Sequence, residues 1–277
     1  MSSLSTAALA ISCGDNALSV NTADEPVLSF GAVTDLHYSR EQYHHRSKGK
    51  LAEAIDTFNG RNLDFIIQIG DLIDTEGREN DIECISELPD IFRSSAAPFL
   101  HVLGNHDLAN LSKEEFCQTV GIEQSWYSLS VAGITLIVLD GNFSQDDVPY
   151  DTGNFVWTES NLSGQQAVWL ESVLEASPGM AIVFCHQNLD GESADHTVSN
   201  AAGIRNILSR SGKVAAVFQG HRHEGGYSRI EEIPYFTLTS MFDRQFFVRN
   251  TFAVVKVYQN GKIEIEGFGN QESRVSP

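Results

Sequence analysis

The sequence predicts an α/β (α+β) fold with mixed β-sheets, in a single domain over residues 27–270. Short, mostly apolar runs alternate with helical patterns through the first two thirds of the chain, which is typical of α/β proteins. After Gly226 the pattern changes to successive strands, which favours a hairpin-rich back half. Residues 1–26 contain neither Lys nor Arg, and we interpret them as a flexible polar lead-in.

The apolar runs are predicted to be buried strands because each is short, continuous and bounded by polar residues. In chain order they occupy residues 27–35, 63–71, 98–105, 134–140, 179–186 and 213–221. Helices are predicted between them at residues 44–58, 79–93, 112–120, 163–176 and 199–210. The fourth helix has the clearest period, with Ser163 as its N-terminal cap. Near the C-terminus, Asn260-Gly261 separates two alternating runs and predicts a β-hairpin.

The charge of the chain limits its partners. The formal net charge is −19, from 37 acidic and 18 basic residues, so we expect neither a long nucleic-acid groove nor a membrane-binding face. A small phosphorylated substrate remains compatible, because bound metal reverses the charge locally. Since the chain has no run of about 18 apolar residues, no membrane span is predicted. We expect a cytoplasmic protein; a degenerate export signal at the N-terminus would instead imply a periplasmic or secreted one.

Residues able to bind metal follow five of the six predicted strands. They are Asp35 and His37, Asp71 and Asp74, Asn105 and His106, His186, and finally His221 and His223. The remaining strand ends at Asp140, which lies outside this set. Because the carboxyl ends of strands in an open α/β sheet form the ligand crevice, these side chains are expected to converge.

Seven of these groups suit a binuclear metal centre: Asp35, His37, Asp71, Asn105, His186, His221 and His223. Two ions roughly 3.5–4 Å apart that share one carboxylate would use such a set. Mixed nitrogen and oxygen ligands without thiolate favour Mn, Fe, Zn or Co and disfavour Ca²⁺. Such a centre predicts hydrolysis by attack of a metal-bound hydroxide on phosphorus, with His106 as general acid or electrostatic clamp.

The motifs DxH, GDxxD, GNHD, a lone His and GHxH resemble, in order, those of the calcineurin-like metallophosphoesterases. The resemblance implies a four-layer αββα sandwich of two mixed β-sheets flanked by helices. It also implies that Asp35, His37 and His223 bind one metal and that Asn105, His186 and His221 bind the other. Asp71 would bridge the two ions. Asp74 would orient His106, the catalytic histidine.

The segments "YHHRSKGKLAEAI", "GNHDLANLS", "NLSGQQAVWLESVL" and "GHRHEGGYS" are similar to the manganese-dependent ADP-ribose/CDP-alcohol diphosphatases. This similarity covers most of residues 28–258 and implies a nucleotide diphosphate linkage or a phosphomonoester as substrate. The chain differs from that group at His37, where those enzymes carry Gln, and it has a shorter segment after residue 140. Alternatives are a phosphodiesterase of the cyclic-nucleotide or glycerophosphodiester type, and a non-catalytic scaffold on the same fold.

Four residues are candidates for substrate contacts: Asn110, His45, Arg46 and Tyr227. Each has a structural alternative: turn capping for Asn110, a solvated helix start for His45 and Arg46, and core packing for Tyr227. His101 is expected in the core or behind the site. His196 is expected on a surface loop or at the pocket wall. The oligomeric state is not predicted.

Overall fold

Two six-stranded sheets form the centre of the molecule. The structure is a computed structural model and describes residues 25–40, 46–191, 195–242 and 249–276. Its strands are β1 Leu28–Val33, β2 Phe65–Ile69, β3 Phe99–Val102, β4 Tyr127–Val131, β5 Ile134–Leu139, β6 Ala181–Cys185, β7 Val214–Gln219, β8 Gly226–Ile230, β9 Ile233–Thr237, β10 Phe252–Val257, β11 Ile263–Phe268 and β12 Arg274–Ser276. Its helices are α1 Ser47–Asn59, α2 Arg78–Ser86, α3 Pro89–Phe92, α4 Lys113–Val120, α5 Gly164–Ala176 and α6 Ala201–Ser211.

Each sheet contains a parallel block extended by antiparallel strands. The first sheet has the order β12-β11-β10-β1-β2-β3, in which β1, β2 and β3 are parallel and the other strands pair antiparallel. The second has the order β4-β5-β6-β7-β9-β8, in which β5, β6, β7 and β9 are parallel. Both sheets are therefore mixed, as the sequence predicts.

The two sheets pack face to face through aromatic side chains. Phe30 and Phe65 stack with ring centroids 4.8 Å apart, and Phe218 from the opposite sheet meets Phe30 edge-on at 5.3 Å. Burying such a ring stabilises the fold by about 1.5–3 kcal/mol, because its apolar surface leaves water. This interior layer of aromatic rings packs the two sheets against each other.

Helices cover the outer face of each sheet. Leu51 and Phe58 of α1 belong to an apolar cluster with the first sheet, which α4 joins through Phe116. Leu170 of α5 and Leu208 of α6 belong to the corresponding cluster on the second sheet. The predicted four-layer αββα sandwich is thereby confirmed.

The predicted elements agree with the structure in type, and the differences have local causes. The predicted helix 79–93 is two helices, α2 and α3, because Pro89 begins a new helix and interrupts the hydrogen-bond ladder. The hairpin at Asn260-Gly261 is confirmed by the antiparallel pairing of β10 with β11. Strands β4 and β8 were not predicted, because both are short and only partly buried.

The sheet also continues beyond residue 270, since β12 pairs with β11. The three cysteines in the described ranges, Cys84, Cys117 and Cys185, are buried and unpaired. In those same ranges no helix has the length and apolar character needed to cross a membrane.

Candidate metal centre

Five loops, each following the carboxyl end of a strand, meet at one rim of the two sheets. Strands β1, β2 and β3 lead into Asp35, Asp71 and Asn105, while β6 and β7 lead into His186 and His221. Parallel strands direct these loops to the same edge, which is why residues nearly 190 positions apart become neighbours.

The backbone at this rim is held in an unusual conformation. Asp35, His37, Asp71 and His221 all have left-handed backbones, with φ of 51°, 45°, 53° and 67°. Such conformations cost about 1–3 kcal/mol each in a non-glycine residue, and they persist where the surroundings enforce them. Two backbone hydrogen bonds between the loops after β1 and β2 hold this conformation. The Asp35 N–H donates to the Gly70 carbonyl at 3.0 Å, and the His37 N–H donates to the Asp71 carbonyl at 3.0 Å.

The first group of possible metal ligands consists of Asp35, His37 and His223. His223 Nε2 lies 3.4 Å from Asp35 Oδ1 and 3.1 Å from His37 Nε2. The Asp35 carboxylate is fully buried and also accepts a hydrogen bond from Thr34 Oγ1 at 2.6 Å. These contacts point three donor atoms at a common centre.

The second group consists of Asp71, His186 and His221. His186 Nε2 lies 3.2 Å from Asp71 Oδ2, and the same oxygen lies 3.6 Å from His37 Nε2 of the first group. The Asp71 carboxylate therefore stands between the two groups. Its other oxygen accepts the N–H of His106 at 2.8 Å, which draws the loop after β3 into the site.

The unsatisfied polar atoms of the rim fit a metal. Among the described residues, the Nε2 atom of His186 and both polar side-chain atoms of Asn105 are buried and find no hydrogen-bond partner. His186 Nδ1 donates to the Ile69 carbonyl at 2.7 Å, which turns Nε2 towards the site. Buried polar atoms normally find partners, and an ion bound by nitrogen and oxygen donors would supply one.

Two glycines allow this close assembly. A Cβ atom at Gly70 would lie 2.3 Å from His186 Nδ1, and one at Gly104 would lie 2.2 Å from Asp71 Oδ1. Gly70 also has a φ of +85°. A side chain at either position would displace a predicted ligand.

The electrostatics of the rim favour positive charge. Burial opposes ionisation, yet the histidines around it hold the pKa of Asp71 well below its usual range. In return, and against the effect of burial, the Asp71 carboxylate raises the pKa of His186 to about 9. Burial and the charge of His186 lower the pKa of His221 to about 3, which keeps it in the neutral form that binds metal.

His106 stands beside the possible metal ligands and is oriented by two neighbours. Its Nδ1 atom lies 3.1 Å from Asp74 Oδ1 and 3.2 Å from Thr75 Oγ1. Burial lowers the pKa of His106, but Asp71 and Asp74 outweigh it and raise that pKa to about 9. The Nε2 edge of the ring is turned away from Asp74, and His106 lines the cavity.

Asp107 joins two of the loops, although the sequence predicts no role for it. Its Oδ1 accepts the N–H groups of Leu72 and Ile73 at 2.8 and 3.1 Å, and its Oδ2 accepts that of Gly104 at 2.9 Å. This carboxylate fixes the loop after β2 to the loop after β3. Its position as the last letter of the GNHD motif was the available signal.

A cavity of about 760 Å³ opens above the metal centre. Aromatic side chains stand on its walls: Phe155, Phe242 and Trp157, the last of which is 48% exposed. His196 also lines this cavity, with its ring 5.1 Å from that of His221. Pockets of this size that combine apolar walls with a few polar groups are typical of small-molecule sites.

The candidate substrate contacts are spread over several places. Asn110 Nδ2 donates to Asp81 Oδ2 at 2.8 Å, and within the described chain Asn110 is outside the cavity lining. Arg46 is exposed immediately before α1, and His45 is outside the described residues. Tyr227, on β8, lines a second and smaller cavity. His101 is a core residue whose pKa burial lowers to about 3.

The sequence of this chain is similar to those of known proteins. A family model described as calcineurin-like phosphoesterase matches residues 28–225. A manganese-dependent ADP-ribose/CDP-alcohol diphosphatase from Arabidopsis thaliana is 24% identical over 259 residues, which covers 75% of this chain and 83% of that protein.

Solved structures share the fold. A dimetal phosphatase from Danio rerio superposes with a TM-score of 0.77 at 18% identity, covering 91% of this chain and 99% of that one. GAP50, the anchor in the inner membrane complex of Plasmodium, superposes with a TM-score of 0.60 at 15% identity, covering 90% and 87%.

Proposed function

The chain belongs to the calcineurin-like phosphoesterase family of metal-dependent hydrolases, and on this premise we propose that it hydrolyses small soluble phosphate compounds. The bond broken is a nucleotide diphosphate linkage, as in ADP-ribose or a CDP-alcohol, or a phosphomonoester. The observation that carries this proposal is the meeting of two groups of possible metal ligands at the Asp71 carboxylate.

We assign the ligands as the geometry and the motif order suggest. Asp35, His37 and His223 would hold one ion, and Asn105, His186 and His221 would hold the other, with the Asp71 carboxylate between the two groups. Two manganese, iron or zinc ions held there would supply positive charge that stabilises the phosphoryl group and acidifies a water nucleophile.

His106 supplies the proton that the leaving group needs. The contacts of Nδ1 with Asp74 and Thr75 fix the ring, so that Nε2 carries the proton towards the cavity. The Asp74 carboxylate also balances the positive charge of the ring while the proton is held. Once the leaving oxygen takes that proton, Asp74 keeps the neutral ring in the same orientation.

The cavity above the site supports a nucleotide as substrate. Its aromatic walls at Phe155, Trp157 and Phe242 offer faces on which a planar base can stack, beside the polar rim that holds phosphate. The diphosphatase that is similar to this chain acts, by its name, on ADP-ribose and CDP-alcohols. Together these observations favour a nucleotide diphosphate over a simple monoester.

A metal and substrate screen tests the proposal. The protein is stripped of metal and then assayed with Mn²⁺, Zn²⁺, Fe²⁺ or Mg²⁺ on ADP-ribose, CDP-alcohols, p-nitrophenyl phosphate, cyclic nucleotides and glycerophosphodiesters. We expect hydrolysis that requires an added transition metal and is fastest with a nucleotide diphosphate. Asp71→Asn should abolish it, whereas Asp56→Asn, an exposed change on α1, should leave it intact.

Three outcomes would count against the proposal in different ways. Activity that survives complete removal of metal would overturn it. A preference for cyclic nucleotides or glycerophosphodiesters would support the phosphodiesterase alternative. Tight metal binding without turnover of any compound would support the scaffold alternative.

A further inference from the structure

A second cavity of about 270 Å³ adjoins the main one. Glu224 and Asn270 line both cavities, and Glu224 directly follows the predicted ligand His223. A group attached to a phosphate on the metal centre can therefore extend into the second cavity without leaving the protein surface.

The walls of the second cavity come from two distant parts of the chain. Tyr227 stands on β8, whereas Glu272 and Arg274 belong to the C-terminal segment that ends in β12. The Arg274 guanidinium lies 4.5 Å from the Tyr227 ring centroid and donates to Glu272 Oε2 at 2.9 Å. The Tyr227 hydroxyl contacts Ser276 Oγ at 3.3 Å, which ties β8 to β12.

The charges of this cavity exclude some ligands. Two carboxylates, Glu224 and Glu272, line the cavity with one guanidinium that is already paired, and the Arg222 guanidinium lies against Gly226 of the wall. The cavity therefore offers a second phosphate no surplus of positive charge. The Tyr227 face is covered by Arg274, so neither a nucleobase nor a quaternary ammonium finds an open ring to stack on.

Hydrogen-bonding groups remain available. In the described part of the chain, no hydrogen bond or ion pair involves the side chains of Glu224 or Asn270. Carboxylate and amide groups of this kind bind hydroxyls well, because each accepts or donates hydrogen bonds in several directions. The volume equals about nine water molecules at roughly 30 Å³ each, which is room for one sugar ring.

From this arrangement we propose that the second cavity binds the sugar at the far end of a diphosphate substrate. The inference rests on the proposed function and adds the chemical class of the group beyond the diphosphate, a neutral polyol. The C-terminal strand is then part of substrate recognition. Substrates that carry a sugar beyond the diphosphate are selected over those that carry an alkyl or choline group.

A series of ADP esters tests this inference. The ribose, methyl and choline esters of ADP share the base and the diphosphate and differ only in the group that would enter the second cavity. We expect kcat/KM for the ribose ester to exceed that for the methyl ester by at least about 10-fold, the effect of one hydrogen bond to a charged group. Asn270→Ala should lower that ratio several-fold, because it removes one of the two hydrogen-bonding side chains available to the sugar. Glu272→Ala and Arg274→Ala, which break the ion pair on the cavity wall, should also lower it.

Arg229→Gln is the matched control, because it breaks an equivalent exposed ion pair with Glu232 away from the cavity and should leave the ratio unchanged. A wild-type ratio near one, a ratio insensitive to Asn270→Ala, or a preference for the choline ester would each overturn the sugar site. If p-nitrophenyl phosphate is still hydrolysed in any of those cases, the proposed function stands. If the wild-type protein hydrolyses none of the compounds with any metal, both proposals fall.

Discussion

The clearest assignment at the scale of single residues is the contact of His106 with Asp74. The ring nitrogen Nδ1 is held at 3.1 Å from the carboxylate, and the ring is mostly buried beside the metal ligands. A histidine in this position can act only if its other nitrogen carries the proton. The size of the loss caused by a mutation therefore depends on how much protonation the leaving group needs.

We expect His106→Ala to lower kcat by roughly 10²–10⁴-fold on an alkyl phosphate or diphosphate substrate, because the leaving oxygen loses its proton donor. The loss should be much smaller with p-nitrophenyl phosphate, whose leaving group departs without protonation. Steady-state kinetics on both substrates checks this difference. Equal losses would mean that His106 acts on the phosphate itself, as an electrostatic clamp.

Asp107 shows how one buried carboxylate can organise a site without facing the substrate. It accepts three backbone N–H groups from the loops after β2 and β3. Because those N–H groups are otherwise buried, their loss of a partner would cost about 1–3 kcal/mol each. The positions of Asp71 and Asn105 depend on this side chain.

At the scale of elements, the loop after β2 is the most constrained part of the site. Gly70 combines a positive φ with a close approach to His186, and the next residue, Asp71, is also left-handed. The loop thus has no room for a side chain at Gly70. Hydrogen bonds to the neighbouring loop after β1 hold its strained backbone in place.

We expect Gly70→Ala to lower the free energy of unfolding by about 2 kcal/mol or more, since the new methyl group would clash and the backbone would be strained. Denaturant unfolding measures this loss. Gly179→Ala is the matched control, because a Cβ there meets nothing within 4 Å. Similar stability of the two variants would show that the loop can relax around a side chain.

At the scale of the whole molecule, the candidate metal centre lies where the two sheets meet. Asp35, Asp71 and Asn105 follow strands of the first sheet, while His186 and His221 follow strands of the second. Ions bound by both sets would hold the sandwich together at this rim. They would also offset part of the −19 charge of the chain.

Metal binding should therefore stabilise the folded protein. At a free Mn²⁺ concentration of about 100 times Kd, a single site adds about 2.7 kcal/mol. For a chain of this size that corresponds to a rise in Tm of roughly 5–10 °C. Calorimetry with and without a chelator measures the rise. Asp71→Asn should remove most of it, whereas Asp56→Asn should keep it; an unchanged Tm in the wild-type protein would contradict the metal centre.

The sequence by itself determined the buried strands and the mixed character of the sheets, and it predicts the metal ligands that follow those strands, because each of these rests on a local signal. An apolar run that ends in glycine and a polar motif can be recognised within ten residues of sequence. Convergence of the motifs follows from the rule that parallel strands end at one edge of a sheet. Short, half-exposed strands such as β4 and β8 carry no such signal, and only their partners in the sheet define them.

The tertiary structure alone decided the contacts between loops and the shapes of the cavities. The three bonds of Asp107 run to residues up to 35 positions away, and the second cavity joins Tyr227 to Arg274 across about 50 positions. The aromatic wall at Phe155 and Trp157 is set by a loop with no regular period. Such contacts depend on how loops fold back over the sheets, and loop packing follows from the whole three-dimensional arrangement instead of from neighbouring residues.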